Sequence, residues 1–189
     1  MNNMFYECFL LNEINLNNCD TNKVNDMSFL FYDCQNLKIL NILNLNTKNV
    51  TNMSCMFGGC SNLAELKISN KFFTENVTDM SGMFLGCINL KFLDLSNFNT
   101  NNVTKMDWMF YKCRNLKEIN IINFNTYNVV DMYSMFAECP KLTSIHFGQN
   151  FTTKNARDVF NMFDKCNNDL INKIKYESKS IDPKAFINE

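Results

Sequence analysis

The sequence predicts an α/β solenoid of about six to seven stacked repeats, and two regularities in the residue order predict it. Seven of the nine cysteines recur every 26 or 27 residues, each with Met-Phe at a fixed offset before it except at Cys34, where the pair is Leu30-Phe31. An apolar Leu-x-x-Leu-x-Leu pattern, with Ile or Phe at some positions, follows each of the first six cysteines. Self-similarity at a period of about 20 to 50 residues is typical of arrays whose units bury their apolar faces against each other. The recurring cysteines are Cys8, Cys34, Cys60, Cys87, Cys113, Cys139 and Cys166.

The first half of each repeat is predicted to be a short helix. In residues 74–98, Met80, Met83 and Cys87 recur at spacings of three and four residues, which places them on one face of a helix. Asn76 stands just before this run and resembles a helix N-cap.

The second half of each repeat is predicted to be a strand. After Leu90, the apolar residues Leu93 and Leu95 alternate with polar ones, as in a half-buried strand. The stacked units should therefore form a parallel β-sheet on one side and a row of short helices on the other. The two 27-residue spacings each contain one extra residue, located before Phe72 and before Phe151, in the bend that follows the strand.

Residues 90–113 join two recognisable half-motifs. Their sequence, LKFLDLSNFNTNNVTKMDWMFYKC, resembles the LxxLDLSxFNT and MSxMFxxC halves of the BspA-like leucine-rich-repeat surface proteins. The resemblance covers about residues 3–168 and implies a leucine-rich-repeat solenoid, a location at the cell surface or outside the cell, and adhesion or recognition of other proteins. The asparagine ladder of leucine-rich repeats is replaced by polar and small residues at its position, so we do not expect that ladder here.

The repeat pattern ends near residue 169. We expect residues 1–169 to form the array, which starts within a repeat, and residues 170–189 to form a non-repeat tail that covers its last unit. The half unit at the N-terminus is predicted to expose Met4 and Phe5, through which the array would stack on a second copy or on upstream repeats. The first residues lack the positively charged region of a signal peptide. A surface location is thus implied by the resemblance alone, and a cytoplasmic location stays open.

The sequence does not contain the patterns expected of an enzyme, a metal site or a nucleic-acid-binding protein. The formal net charge is −1 and no basic stripe is present, so nucleic acid is not an expected partner. The cysteines form no CxxC pair of the kind that zinc sites use. No stretch approaches the roughly 18 consecutive apolar residues of a membrane span. We therefore predict no catalysis, no cofactor and no metal.

The recurring cysteines are interpreted as buried free thiols, with disulfides between adjacent repeats as the alternative. Two cysteines lie outside the column. Cys19 replaces an apolar bend residue and is predicted to be buried, whereas Cys55 is the best candidate for an exposed thiol.

The outward positions of the predicted strands form the candidate binding surface, because repeat proteins bind along the extended surface that their units generate. Ile39 and Phe92 are apolar residues among charged ones there, which favours a protein or glycan partner; an ordinary solvated sheet face is the alternative. Trp108 occupies a variable column of the helical half and is either a partner contact or an aromatic that covers its neighbours. His146, the only histidine, is expected to be a surface residue. The alternative function is a structural spacer or a self-assembling stack. The candidate contact residues are Glu13, Asn15, Ile39, Asn41, Glu65, Lys67, Phe92, Asp94, Glu118, Asn120, His146 and Trp108.

Overall fold

The structure is a computed structural model that describes residues 1–16 and 19–187. Five short strands follow one another along the chain, and the predicted leucine-rich-repeat solenoid with a parallel sheet is confirmed. We call each repeat unit a rung: it consists of the turn segment that ends at a recurring cysteine and the segment that follows. The rungs are numbered 1 to 7, from the one with Cys8 to the one with Cys166. The strands of rungs 2 to 6 are β1 (Ile39–Asn41), β2 (Glu65–Lys67), β3 (Phe92–Asp94), β4 (Glu118–Ile121) and β5 (Ser144–Phe147).

The first half of each rung is a chain of turns, and the prediction of short helices there is wrong. In rung 2 the N–H of Met27 donates to Asn52 O of the next rung at 3.0 Å, and the N–H of Phe29 donates to Ser54 O at 2.9 Å. Between them, Leu30 N–H turns back within its own rung to Met27 O. Because every second N–H is committed to the neighbouring rung, the i→i−4 bonds of a helix cannot form.

Two columns of residues in these turns have a positive φ, which a right-handed helix does not allow. Most of them are not glycine, so the packing between rungs holds the backbone in a region that costs about 1 kcal/mol or more per residue. The first column contains Asn3, Phe29, Cys55, Gly82, Trp108, Ser134 and Asn161. The second contains Glu7, Asp33, Gly59, Gly86, Lys112, Glu138 and Lys165.

A stack of eight phenylalanine rings runs along the core, one ring from each rung and one from the C-terminal segment. Successive ring centroids are 5.3 to 6.0 Å apart. Such offset pairs contribute about 0.5–1.5 kcal/mol each beyond the burial of their apolar area. The rings belong to Phe5, Phe31, Phe57, Phe84, Phe110, Phe136, Phe163 and Phe186.

The recurring cysteines form a second ladder beside this stack. Each thiol from Cys34 onward donates to the carbonyl oxygen of the stacked phenylalanine in the preceding rung, at 3.0 or 3.1 Å. The cysteines are free thiols. The expectation for the other two is wrong: Cys19 is exposed and Cys55 is only partly exposed, since its Sγ packs where a Cβ on Gly82 would otherwise lie. Burial raises the pKa of both Cys34 and Cys55 to about 11.

We expect only one thiol of the folded protein, Cys19, to react rapidly with an aromatic disulfide reagent at pH 8. The recurring thiols from Cys34 to Cys166 are buried, and Cys8 and Cys55 are only partly exposed. Burial raises the pKa of Cys87 well above that pH, and a hydrogen bond with Cys113 together with burial does the same for the pKa of Cys139, so little thiolate is present. The measurement is the number of thiols titrated in the first minute, with and without denaturant. Cys19→Ser should remove the fast phase, and a fast phase of several thiols would contradict the ladder.

Threonine and asparagine side chains join the rungs at the bend after each strand. The buried Thr47 hydroxyl donates to Phe73 O of the next rung at 2.7 Å, and Asn49 Nδ2 donates to Asn22 O of the preceding rung at 2.6 Å. An asparagine ladder therefore exists, although in a different column from the one considered in the sequence. Asn76 belongs to it: its Nδ2 donates to Lys48 O at 2.8 Å, and it is not a helix cap. The ladder asparagines are Asn49, Asn76, Asn102, Asn128 and Asn155.

The C-terminal segment packs against rung 7. The helix α1 (Asn168–Glu177) begins after Asn167, whose side chain accepts from the N–H groups of the first turn, and buries Leu170 and Ile174. A 3₁₀-helix at Pro183–Phe186 then places Phe186 at the end of the ring stack. Residues 188 and 189 of the predicted tail lie outside the described residues.

The sheet is interrupted between rungs 3 and 4. β1 pairs with β2, and β3, β4 and β5 form a second sheet, but no backbone hydrogen bond joins β2 to β3 among the described residues. At the other end, residues 11–16 of rung 1 were predicted to be a strand and are not one. Five strands are therefore divided into a pair and a triplet.

Candidate functional site

The outward side chains of the five strands lie on one exposed surface, which we call the strand face. Alternation along each strand places Leu40, Leu93 and Ile119 in the core and their neighbours outside. The predicted contact residues on the strands are exposed, except Asn120, which is partly buried. The strand face comprises Ile39, Asn41, Glu65, Lys67, Phe92, Asp94, Glu118, Asn120, Ser144 and His146.

Glu13 and Asn15 are exposed but precede β1 and belong to no described strand. Trp108 lies in the turn half of rung 5, outside the strand face. Its indole packs edge-on against Tyr133 with ring centroids 5.6 Å apart, and its φ is 53°. The structure thus brings nine of the twelve predicted residues together and leaves these three elsewhere.

Several polar residues of the strand face bind each other. Glu65 pairs with Lys67 at 3.4 Å, and His146 Nε2 lies 2.8 Å from Glu118 Oε1. Asp94 Oδ1 accepts from Ser96 N–H at 2.9 Å, and this bond lowers the pKa of its carboxyl. Most charged side chains of the strand face therefore already have a polar partner within the chain.

The apolar residues of the strand face have no such partners. Ile39 is 51% exposed and Phe92 is 63% exposed. Two more exposed apolar residues were not predicted: Leu43 and Ile122, which follow their strands, are 41% and 51% exposed. The equivalent residue in rung 4 is Ser96. An apolar residue at a position that is polar in other rungs could therefore have indicated this exposed surface from the sequence. The strand face is bordered by apolar surface in rungs 2 and 5.

A buried carboxyl lies in the turn half. Asp107 is 8% exposed. Its equivalent in the preceding rung is Ser81. Burial, with the negative charges of Asp131 and Asp79 nearby, raises the pKa of Asp107 to about 6. Lys105, which lies 3.5 Å from Asp79, partly offsets this effect.

The sequence pattern of one protein family matches residues 1–90 and again residues 59–175. That family is described as "Mycoplasma protein of unknown function, DUF285". The chain belongs to the DUF285 family. The overlap of the two matches agrees with a repeat that can be aligned in more than one register.

Two solved structures resemble this DUF285 chain. A leucine rich cell surface protein from Faecalibacterium prausnitzii A2-165 shares 19% identity over 69% of this chain, with a TM-score of 0.33; the chain spans only 36% of that protein. A leucine-rich-repeat protein from T. pallidum shares 11% identity, with a TM-score of 0.41, over 84% of this chain and 79% of its own. No curated protein matches the chain.

The described part of the DUF285 chain contains no group of three or more His, Cys, Asp or Glu side chains that could hold a metal ion. A search of the same residues finds no helix with the length and apolar character needed to cross a membrane.

We expect the contribution of Asp107 to the stability of the DUF285 array to fall as the pH rises through the range from about 4 to about 7. The folded-state pKa of Asp107, about 6, lies above its ordinary value of 3.8, so the folded protein binds the extra proton in this range and loses that advantage at higher pH. Asp107→Ser, which copies Ser81, should raise the free energy of unfolding by about 1–2 kcal/mol at pH 7.5 and change it little at pH 4.5. Urea unfolding at both pH values measures this, and an equal effect at both would contradict the assignment.

Proposed function

We propose that this protein is a non-catalytic recognition module of the BspA-like leucine-rich-repeat type, which binds a protein or glycan partner through its strand face. The observation that supports it is the exposure of Ile39 and Phe92 on a sheet where other outward side chains pair with each other. Exposed aromatic and aliphatic side chains within a polar rim are the usual anchors of protein interfaces. Display at the cell surface is part of this proposal and rests on the sequence resemblance.

The test is a screen of the purified chain against a printed glycan array and an array of secreted and cell-surface proteins. For each partner found, the double variant Ile39→Asp, Phe92→Asp should weaken binding by at least about tenfold. Tyr176→Asp is the matched control, since Tyr176 is 90% exposed in α1 and lies off the strand face. Unchanged affinity in the double variant would refute the proposal.

A second candidate function, assembly through rung 1, is favoured by a different set of exposed residues. Met4 is 57% exposed, Phe9 45% and Leu10 85%. Phe5 was also expected to be exposed, but it is partly buried because its ring stacks on Phe31. Under this hypothesis a second copy stacks on rung 1. Size-exclusion chromatography with light scattering should then show concentration-dependent assembly that Met4→Asp with Leu10→Asp removes and Phe92→Asp does not. A monomer at all concentrations would rule it out for this chain.

A further inference from the structure

The break in the sheet opens a cleft between β2 and β3. It has a volume of about 520 Å³ and is lined by main chain and side chains of both strands, including Leu66, Ile68 and Phe92. Charged residues of both signs, Lys91 and Asp94 among them, border it. This volume is typical of a site that holds a small ligand or a few residues of a peptide.

The cleft exposes main-chain groups that are paired elsewhere in the array. Where rungs do pair, Ile42 N–H donates to Lys67 O at 3.1 Å and Leu95 N–H donates to Asn120 O at 2.9 Å. The equivalent bond across the cleft would run from Ile68 N–H to Asp94 O, and it is absent from this described region.

The strand register fixes which groups face the cleft. In a parallel pair, alternate residues of each strand bond to the neighbour on one side. Leu66 on β2 and Ile68 just after it, with Phe92 and Asp94 on β3, occupy the positions whose counterparts bond across the other rung pairs. Their N–H and C=O groups therefore form two facing edges, separated by the cleft.

Burial of the inner side chains gives independent evidence that β2 is an edge strand in the middle of the array. Leu40 on β1 is 0% exposed, and Ile42, just after β1, is 1% exposed. Their counterparts in rung 3, Leu66 and Ile68, are only partly buried. The strand β5, a true edge, shows the same partial burial at Ile145. Open edges of this kind are templates for pairing with another chain.

The two 27-residue rungs differ in the bend after their strands. In rung 6 the bend begins at Gly148, which lies against the preceding rung, since a Cβ there would overlap Ile122 O. The corresponding residue of rung 3 is Ser69. In both long rungs the strand has no partner strand in the following rung among the described residues, so the break coincides with an inserted residue.

We propose that the β2–β3 cleft binds a short extended peptide of a protein partner, which pairs its main chain with the free edges and packs an apolar side chain on Phe92. The occupant follows from complementarity: alternating donors and acceptors at strand spacing match an extended main chain, as in recognition by strand addition. A glycan lacks that regular alternation. This inference rests on the proposed function and specifies the partner and its mode of binding.

The first test is amide hydrogen exchange on the free protein. The amides of Leu66, Ile68, Phe92 and Asp94 should exchange at least about tenfold faster than those of their counterparts, which are bonded between rungs. The matched counterparts are Leu40, Ile42, Glu65 and Asn120. Equal protection of the two sets would show a closed sheet and overturn the inference.

The second test uses a phage-displayed library of random linear peptides as the probe. Selected peptides should protect the four cleft amides and bind at least about tenfold more weakly to Phe92→Pro, which removes one N–H facing the cleft together with the ring. Phe92→Ala keeps the N–H and replaces the proline variant if that variant does not fold. It should lose less peptide affinity than Phe92→Pro. Ile39→Asp changes the strand face outside the cleft and should leave peptide affinity unchanged.

The outcomes separate this inference from the proposed function. If no linear peptide is enriched, or if the peptides protect other amides and bind Phe92→Pro equally well, the inference is overturned. Array partners that are lost in the Ile39→Asp, Phe92→Asp variant would still support recognition through the strand face. If peptides bind the cleft but no array partner depends on Ile39, peptide binding in the cleft is supported and recognition through the whole strand face is refuted.

Discussion

Gly148→Ala is expected to destabilise the fold by at least about 3 kcal/mol. The added Cβ would overlap Ile122 O and lie 2.8 Å from Ile122 C, and both atoms belong to the backbone of the preceding rung. The backbone of rung 6 would have to move away from rung 5, which would disturb the pairing of β4 with β5. The measurement is the urea midpoint of unfolding followed by circular dichroism.

Gly58→Ala is the matched control for this substitution. A Cβ there would approach Tyr32 Cδ2 at 2.9 Å, but Tyr32 is a partly exposed side chain that can rotate away. We expect a loss of no more than about 1 kcal/mol. If the two variants had similar midpoints, the close approach of rungs 5 and 6 would be wrong.

Phe84→Ala should reduce the free energy of unfolding by about 3–5 kcal/mol. Phe84 is 0% exposed and stacks between Phe57 and Phe110, at centroid distances of 5.4 and 5.8 Å. Its removal leaves a cavity and also breaks two ring contacts in the middle of the stack. Because each rung is stabilised by its neighbours, the loss should affect both halves of the array.

Phe92→Ala is the comparison, because Phe92 is 63% exposed on the strand face. It should change the free energy of unfolding by no more than about 0.5 kcal/mol. Guanidinium unfolding of the two variants under the same conditions gives the difference directly. Similar losses in both would mean that the ring stack is not a separate source of stability.

The core of the array could be predicted from the sequence because its buried positions are apolar and recur at the same place in each repeat. The columns of Met80, Met83, Phe84 and Cys87 are buried, as their apolar character indicated. The same spacing of three and four residues suggested a helix, and this was wrong. A chain of tight turns also returns to the core every three or four residues, so periodicity reports which side chains are inside without specifying the backbone.

The features that depend on contacts between rungs were harder to predict. The asparagine ladder was not predicted, because its role appears only when Asn49 is seen to reach the preceding rung. The exposure of Ile39 and Phe92 followed from strand alternation. The cleft did not, because the apolar repeat pattern of the sequence continues through rungs 3 and 4, and the break appears only in the hydrogen bonds between them.

The ladders have a consequence for how such a gene can change over time. Every complete unit presents the same ring, thiol, threonine and asparagine groups to its neighbours, so a duplicated or deleted unit of 26 residues restores all contacts at the new junction. Recombination between repeats can therefore lengthen or shorten the array while each product still folds. A shift of one residue inside a turn has no such freedom, since it would misalign every ladder at once. Selection can thus change the length of the array by whole repeat units, and it can change the chemistry of the surface by single substitutions.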